Sequence, residues 1–106
     1  MTRVYRGWRD ADGKAHVDAD DMPLPLRLDL ANHSPTGFEW GYGGSGPAQL
    51  ALAILADALG NKQKALLLHQ RFKWEVIAKL PRDKGWTLHR DEVHRLLGLN
   101  LKDQAA

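Results

Sequence analysis

The chain has 106 residues, of which 43% are hydrophobic and 26% charged, and its formal net charge is +2. This balance is typical of a globular protein and excludes a disordered, collagen-like or low-complexity chain, and the length suits one domain over residues 1–106. The chain contains no cysteine, which excludes disulfide bonds, thiolate metal sites and a cysteine nucleophile.

The N-terminal part of the chain predicts two β-hairpins. Residues 2–8 hold β-favouring side chains, and a turn at residues 10–13 joins them to a second strand at 14–17. Residues 18–25 are acidic and contain two prolines, which predicts a flexible loop. Residues 26–30 carry leucine at every second position, so we expect a strand there that pairs with a short strand at 38–40.

An apolar helix is predicted over residues 47–59. Pro47 suits the first helical turn, and either Ser45 or Gly46 would be the N-cap residue. Gly60 and Asn61 form a typical C-terminal cap. Because this segment is apolar on nearly every side, we expect it to be the buried central helix.

The C-terminal half predicts two more helices and a strand. Apolar residues recur at helical spacing over residues 62–80, Pro81 ends that pattern, and residues 86–88 and 90–97 predict a short strand and a last helix. Strands followed by helices indicate an α+β fold. We expect a small antiparallel sheet of about three to four strands, packed against two to three helices with 47–59 buried.

A glycine-rich segment, Gly41-Tyr-Gly-Gly-Ser-Gly-Pro47, leads into the apolar helix. Free backbone N–H groups at a helix start are able to bind an anion, which would make the segment a nucleotide or coenzyme A site, with or without group transfer. The segment lacks the lysine of a P-loop and the βαβ surroundings of a dinucleotide fold. A tight turn that packs the helix against Phe38 and Trp40 is the other interpretation.

Residues 36–55, TGFEWGYGGSGPAQLALAIL, resemble the core motif of a family of small uncharacterised proteins from bacteria, archaea and their phages and plasmids. The resemblance extends to Tyr-Arg-Gly at 5–7, and to Trp-Thr-Leu at 86–88 with the helix that follows. It implies an accessory protein of a mobile genetic element or its host. It supplies no catalytic residue.

The five histidines, at positions 16, 33, 69, 89 and 94, lack the spacing of metal ligands on one helix. We therefore predict no metal, no cofactor and no catalytic residue, and a protein that is more simply a binding module than an enzyme. Glu39 lies between two aromatic residues beside the glycines, and is the one carboxyl group that we would test for a raised pKa.

Charge is concentrated in residues 61–106, which carry ten basic and five acidic residues. Such a surface is either an ordinary solvated face or a binding surface for an acidic partner. Nucleic-acid binding is the first alternative function, through basic residues interleaved with aromatic ones: Lys62, Lys64, Arg71 and Lys73. The N-terminus has no signal-like apolar stretch and no segment is long enough to span a bilayer, so we expect a cytoplasmic protein without membrane contact.

The leading hypothesis is a small non-enzymatic accessory protein that docks onto a macromolecular partner, most simply a protein. Aromatic residues beside glycine are plausible interface anchors. The expected contact residues all lie within residues 39–46: Glu39, Trp40, Tyr42, Gly43, Gly44, Ser45 and Gly46.

Overall fold

A computed structural model describes residues 2–98. Its elements, in chain order, are β1 (Val4–Arg9), β2 (Ala15–Ala19), β3 (Met22–Pro23), α1 (Ser45–Leu59), α2 (Lys62–Glu75), a 3₁₀ turn (Ile77–Lys79), β4 (Trp86–His89) and α3 (Arg90–Leu96). Three helices and a four-stranded antiparallel sheet confirm the predicted α+β fold. No helix within residues 2–98 is both long enough and apolar enough to cross a membrane.

The sheet has the strand order β3-β2-β1-β4, so β1 is paired on both sides. Tyr5 lies opposite Ala19 of β2 and Leu88 of β4, and Gly7 lies opposite Trp86. Because side chains alternate along a strand, these residues share one face of the sheet. All but Gly7 belong to the same buried apolar cluster as α1. The predicted first hairpin and the predicted strand at 86–88 are therefore confirmed.

Helix α1 is the buried centre of the molecule, as predicted. It begins at Ser45 rather than at 47, and its N-cap residue is Gly44 instead of the expected Ser45 or Gly46. Nearly all of its side chains are buried, including those of Leu50, Leu52, Ile54 and Leu55. Gly60 ends the helix with a left-handed φ of 61°, a conformation that costs glycine little.

The predicted second hairpin is wrong, because residues 26–30 and 38–40 form no strand. Arg27 has a φ of 59°, which breaks the extended backbone that period-two burial requires. The Leu30 N–H then donates to the Arg27 carbonyl 3.0 Å away, which closes a turn. Leu26 and Leu30 pack against the core from this turn, whereas Leu28 is 39% exposed.

Two other boundaries differ from the prediction. The acidic stretch at 18–21 is not a flexible loop, since Asp18 lies in β2 and Asp20 and Asp21 form the turn into β3 with φ values of 49° and 67°. Helix α2 ends at Glu75 rather than at 80, because Val76 leaves the helical region with φ −124° and the 3₁₀ turn follows.

Candidate functional site

The aromatic–glycine segment, residues 39–46, crosses the molecule between the 3₁₀ turn and α1. Gly41 fixes its course: its N–H donates to the Ile77 carbonyl at 3.0 Å, and its φ is +87°. A Cβ at Gly41 would lie 2.5 Å from the Cβ of Arg82. Glycine is required here both for the left-handed backbone and for the close approach of the turn at 81–84.

Trp40 anchors this segment from inside the protein. Its indole is fully buried, and its Nε1 donates to the carbonyls of Pro81 (3.1 Å) and Lys84 (3.0 Å). The ring meets Trp86 edge-on, with centroids 5.6 Å apart. The expectation that Trp40 contacts a partner is therefore corrected: burial leaves its ring no surface to offer.

Gly46 is buried as well, so it offers a partner little surface. A Cβ there would lie 2.7 Å from that of Glu39, so its glycine allows α1 to start directly behind the segment. Glu39 itself pairs with Arg9 through two hydrogen bonds of 2.8 and 3.3 Å. The Arg9 guanidinium also lies 4.4 Å from the Trp40 ring centroid, so the pair braces the buried tryptophan.

Tyr42 is the exposed aromatic side chain of the segment, with 37% of its surface accessible. Its ring lies against Gly44, where a Cβ would come within 2.5 Å of Cε2. The Arg82 guanidinium lies 4.6 Å from the ring centroid. The ring thus packs against bare backbone and a cation, which restricts its movement.

Trp74, on α2, lies against Gly43 in the same manner, and a Cβ at Gly43 would overlap its six-membered ring. The indole is 58% exposed, and the Lys73 ammonium lies 4.4 Å from it. Gly43 and Gly44 therefore admit the protein's own aromatic rings. Sequence reasoning missed the contribution of Trp74 to this surface because 31 positions separate it from Gly43, and only the tertiary fold brings them together.

Two depressions flank Tyr42. The larger is an open groove of about 900 Å³ between the β1–β2 turn, the segment and the 81–84 turn. The smaller, of about 320 Å³, is lined by Ser45 and Gly46 among others. Glu39 and Tyr42 line both. Ser45 is exposed at the start of α1, so the structure places Tyr42, Gly43, Gly44 and Ser45 together on the accessible side.

The four basic residues of the nucleic-acid alternative occupy different settings on α2. Lys62 and Lys64 are exposed at its start. Arg71 binds Glu75 with N–O distances of 3.2 Å. Lys73 is buried and directs its ammonium to the Trp74 ring. The structure thus brings Lys73, and not Lys62, to the aromatic–glycine segment.

Gln49 is a polar residue whose role the sequence analysis missed. Its side-chain oxygen accepts from the backbone N–H groups of His33 (2.8 Å) and Ser34 (3.0 Å). Its Nε2 donates to the carbonyls of Leu26 (2.6 Å) and Ala31 (3.0 Å). A fully buried polar side chain in an apolar helix was the available signal, because such a group must find partners.

His33 extends this attachment to α2. Its Nε2 lies 3.0 Å from the Nε2 of His69, whose Nδ1 donates to the Leu66 carbonyl at 2.7 Å. That bond leaves the His69 Nε2 as the acceptor, so His33 is the donor. Burial, and then the nearby His69 and Lys73, lower the pKa of His33. Within residues 2–98, no group of three or more His, Cys, Asp or Glu is arranged to hold a metal ion.

Comparison with known proteins gives one positive result. A family model described as a family of unknown function (DUF6166) matches residues 5–98. No curated protein and no solved structure matches the chain.

Proposed function

Because this chain belongs to DUF6166, a family of unknown function, we propose its role from its own residues: a non-enzymatic module that docks onto a protein partner. The docking surface is the exposed side of the aromatic–glycine segment together with Trp74. In keeping with the resemblance of residues 36–55, the proposed setting is a mobile genetic element or its bacterial or archaeal host, with the protein acting in the cytoplasm.

The observation that carries this proposal is the pair of exposed rings, Tyr42 and Trp74, seated on Gly44 and Gly43. Each ring also carries a cation, Arg82 or Lys73, that restricts its movement. Aromatic anchors of this kind dominate protein interfaces, and a ring that is already ordered loses little entropy on binding. The groove beside Tyr42 offers the concave surface into which a partner side chain would fit.

Binding is favoured over catalysis because Arg9, Glu39 and Asp10, which line the groove, already have polar partners. Glu39 is paired with Arg9, and Asp10 accepts from the Lys14 N–H and contacts His16 at 2.9 Å. Among the hydrogen bonds described for residues 2–98, none joins Ser45 to a histidine or a carboxylate. A nucleophile requires such a base within hydrogen-bonding reach.

The geometry supports the two alternatives less well. Of the four basic residues proposed for nucleic acid, Arg71 and Lys73 have their cations directed to Glu75 and Trp74. The nucleotide or coenzyme A interpretation needs open backbone at Gly43 and Gly44, and there the rings of Trp74 and Tyr42 lie close to the chain.

Affinity capture with three forms of the protein tests the proposal. Tyr42→Ala should reduce partner capture about 30-fold, the effect of removing an anchor worth about 2 kcal/mol. Met22→Ala, which removes a 67% exposed side chain on β3, is the matched control and should capture the partner as the unmodified protein does. Equal capture by all three forms would show that Tyr42 is not part of the docking surface.

A further inference from the structure

Helix α2 presents an outward stripe of side chains, of which the function proposed above uses only Trp74. Lys64, Leu67, Arg71 and Trp74 follow one another at spacings of three, four and three residues, which places them on one helix face. All four are exposed, and Leu67 is 79% exposed. Leu66, beside Leu67, is 38% exposed.

The stripe is continuous with the aromatic–glycine segment. Its two ends are ten positions apart, which is about 15 Å at the rise of an α-helix. Its last member, Trp74, lies against Gly43, and Tyr42 with Arg82 follows directly beyond. A ligand bound at Tyr42 and Trp74 would therefore lie next to the apolar and basic side chains of this stripe.

The positive charge along the stripe favours an acidic ligand. The exposed cations of α2 outside its ion pair, Arg71–Glu75, are Lys62 and Lys64. Arg82 adds a cation at the Tyr42 end. Two copies of this face would repel each other, so a second copy of the chain is a poor occupant, whereas a carboxylate-rich surface is complementary.

The apolar groups favour a peptide over a nucleic acid. Nucleic-acid bases stack on open aromatic faces, but the Tyr42 ring already contacts Gly44 and the Arg82 guanidinium. The centre of the stripe is aliphatic, because Leu67 belongs to it and Leu66 lies beside it. Aliphatic side chains gain by contact with other apolar side chains, as when an amphipathic helix docks on a surface.

We propose that the partner segment is an acidic, amphipathic peptide that lies along Lys64, Leu67, Arg71 and Trp74 and ends at Tyr42. This inference rests on the proposed docking function and names the chemistry of its partner. The apolar side of the peptide covers Leu67 and Trp74, and its carboxylates face Lys64 and Arg82.

Fluorescence anisotropy with defined probes tests this inference. The probe is a fluorescein-labelled peptide of about 15 residues, built from leucine at helical spacing and glutamate elsewhere, and about 22 Å long as a helix. A peptide with lysine in place of glutamate and a labelled oligothymidylate are the comparison probes. We expect only the acidic peptide to bind, and its binding to weaken as salt is raised.

Variants locate the bound peptide. Leu67→Ala and Lys64→Ala should each weaken binding about fivefold, and because both side chains are exposed, neither change should disturb the fold. Leu96→Ala on α3 and Lys79→Ala in the 3₁₀ turn, which remove an exposed leucine and lysine elsewhere, should change it less than about twofold.

Three results would overturn the inference: no binding of the acidic peptide, equal or tighter binding of either comparison probe, or stripe variants that bind as well as the controls. These results are separable from failure of the docking function itself. If Tyr42→Ala abolishes partner capture while the acidic peptide does not bind, the docking surface stands and only the acidic chemistry of the partner is rejected.

Discussion

Gln49 shows how one side chain positions a long irregular segment. Residues 24–44 contain no helix or strand, and the Gln49 amide satisfies four of their backbone groups. Within α1, Asp57 has the equivalent role toward the sheet, because it accepts from the Tyr5 hydroxyl at 2.5 Å and pairs with Arg3 at 2.6 Å. Burial and the Asp57 carboxylate raise the pKa of Tyr5, which keeps its hydroxyl a donor.

Replacing Gln49 by alanine should lower the free energy of unfolding by about 2–4 kcal/mol, because two backbone donors and two acceptors lose their partner. Urea denaturation measures this change. Gln63→Ala, at an exposed position of α2, is the control and should change stability by less than about 0.5 kcal/mol. Equal denaturation midpoints for the two variants would contradict the role of Gln49 in holding residues 24–44 in place.

His33 predicts how stability depends on pH. Its pKa is lowered from 6.5 in the folded protein, so below about pH 6.5 the unfolded chain binds this proton more readily. The stability that the folded protein gains from neutral His33 is therefore fully present above about pH 6.5, and it is lost as the pH falls through the lowered pKa. Denaturation midpoints between about pH 7 and 5 should fall less steeply for His33→Gln than for the unmodified protein. Parallel pH profiles would exclude this residue as a source of the dependence.

At the scale of whole elements, the glycines of the aromatic–glycine segment determine how closely α2 approaches it. Trp74 reaches the backbone only because Gly43 has no side chain. An indole ring also packs against a glycine in the sheet, where a Cβ at Gly7 would overlap the Trp86 indole. Close packing of an indole ring on bare backbone thus occurs both in the segment and in the sheet.

Gly43→Ala should destabilise the protein by about 1–3 kcal/mol, because the new methyl group displaces the Trp74 ring. In a Trp74→Ala background the same change should cost less than about 0.5 kcal/mol, since nothing is left to collide with. A double-mutant cycle followed by chemical denaturation measures the difference. An identical cost in both backgrounds would place the strain elsewhere.

Local sequence patterns predicted those elements whose neighbours in the fold match the pattern. β-Favouring residues and a tight turn predicted the β1–β2 hairpin, and uniform apolarity predicted α1. The alternating leucines at 26–30 failed because alternation needs an adjacent strand, and Arg27 turns the backbone instead. For the site, Tyr42 and its glycines were accessible to sequence reasoning, whereas Trp74 and Arg82 depend on tertiary contacts. The sequence also could not distinguish the inward ring of Trp40 from an exposed one.

Over the whole molecule, α1 separates two kinds of support. The sheet packs against it in the common core and joins it through the Tyr5–Asp57 hydrogen bond, while the irregular segment joins it through the Gln49 amide. The proposed docking surface combines the irregular segment with Trp74 of α2, which lies against Gly43. A partner would therefore meet side chains that already pack on the fold, which limits the entropy lost on binding.

The central position of β1 has a consequence for the newborn polypeptide. Its partner β2 is made almost at once, but β4, on its other edge, is added only after both long helices have been synthesised. Until then, that edge presents unpaired amide and carbonyl groups to any neighbouring chain on the polysome. We therefore expect the growing chain to be most prone to aggregation before β4 pairs with this edge of β1.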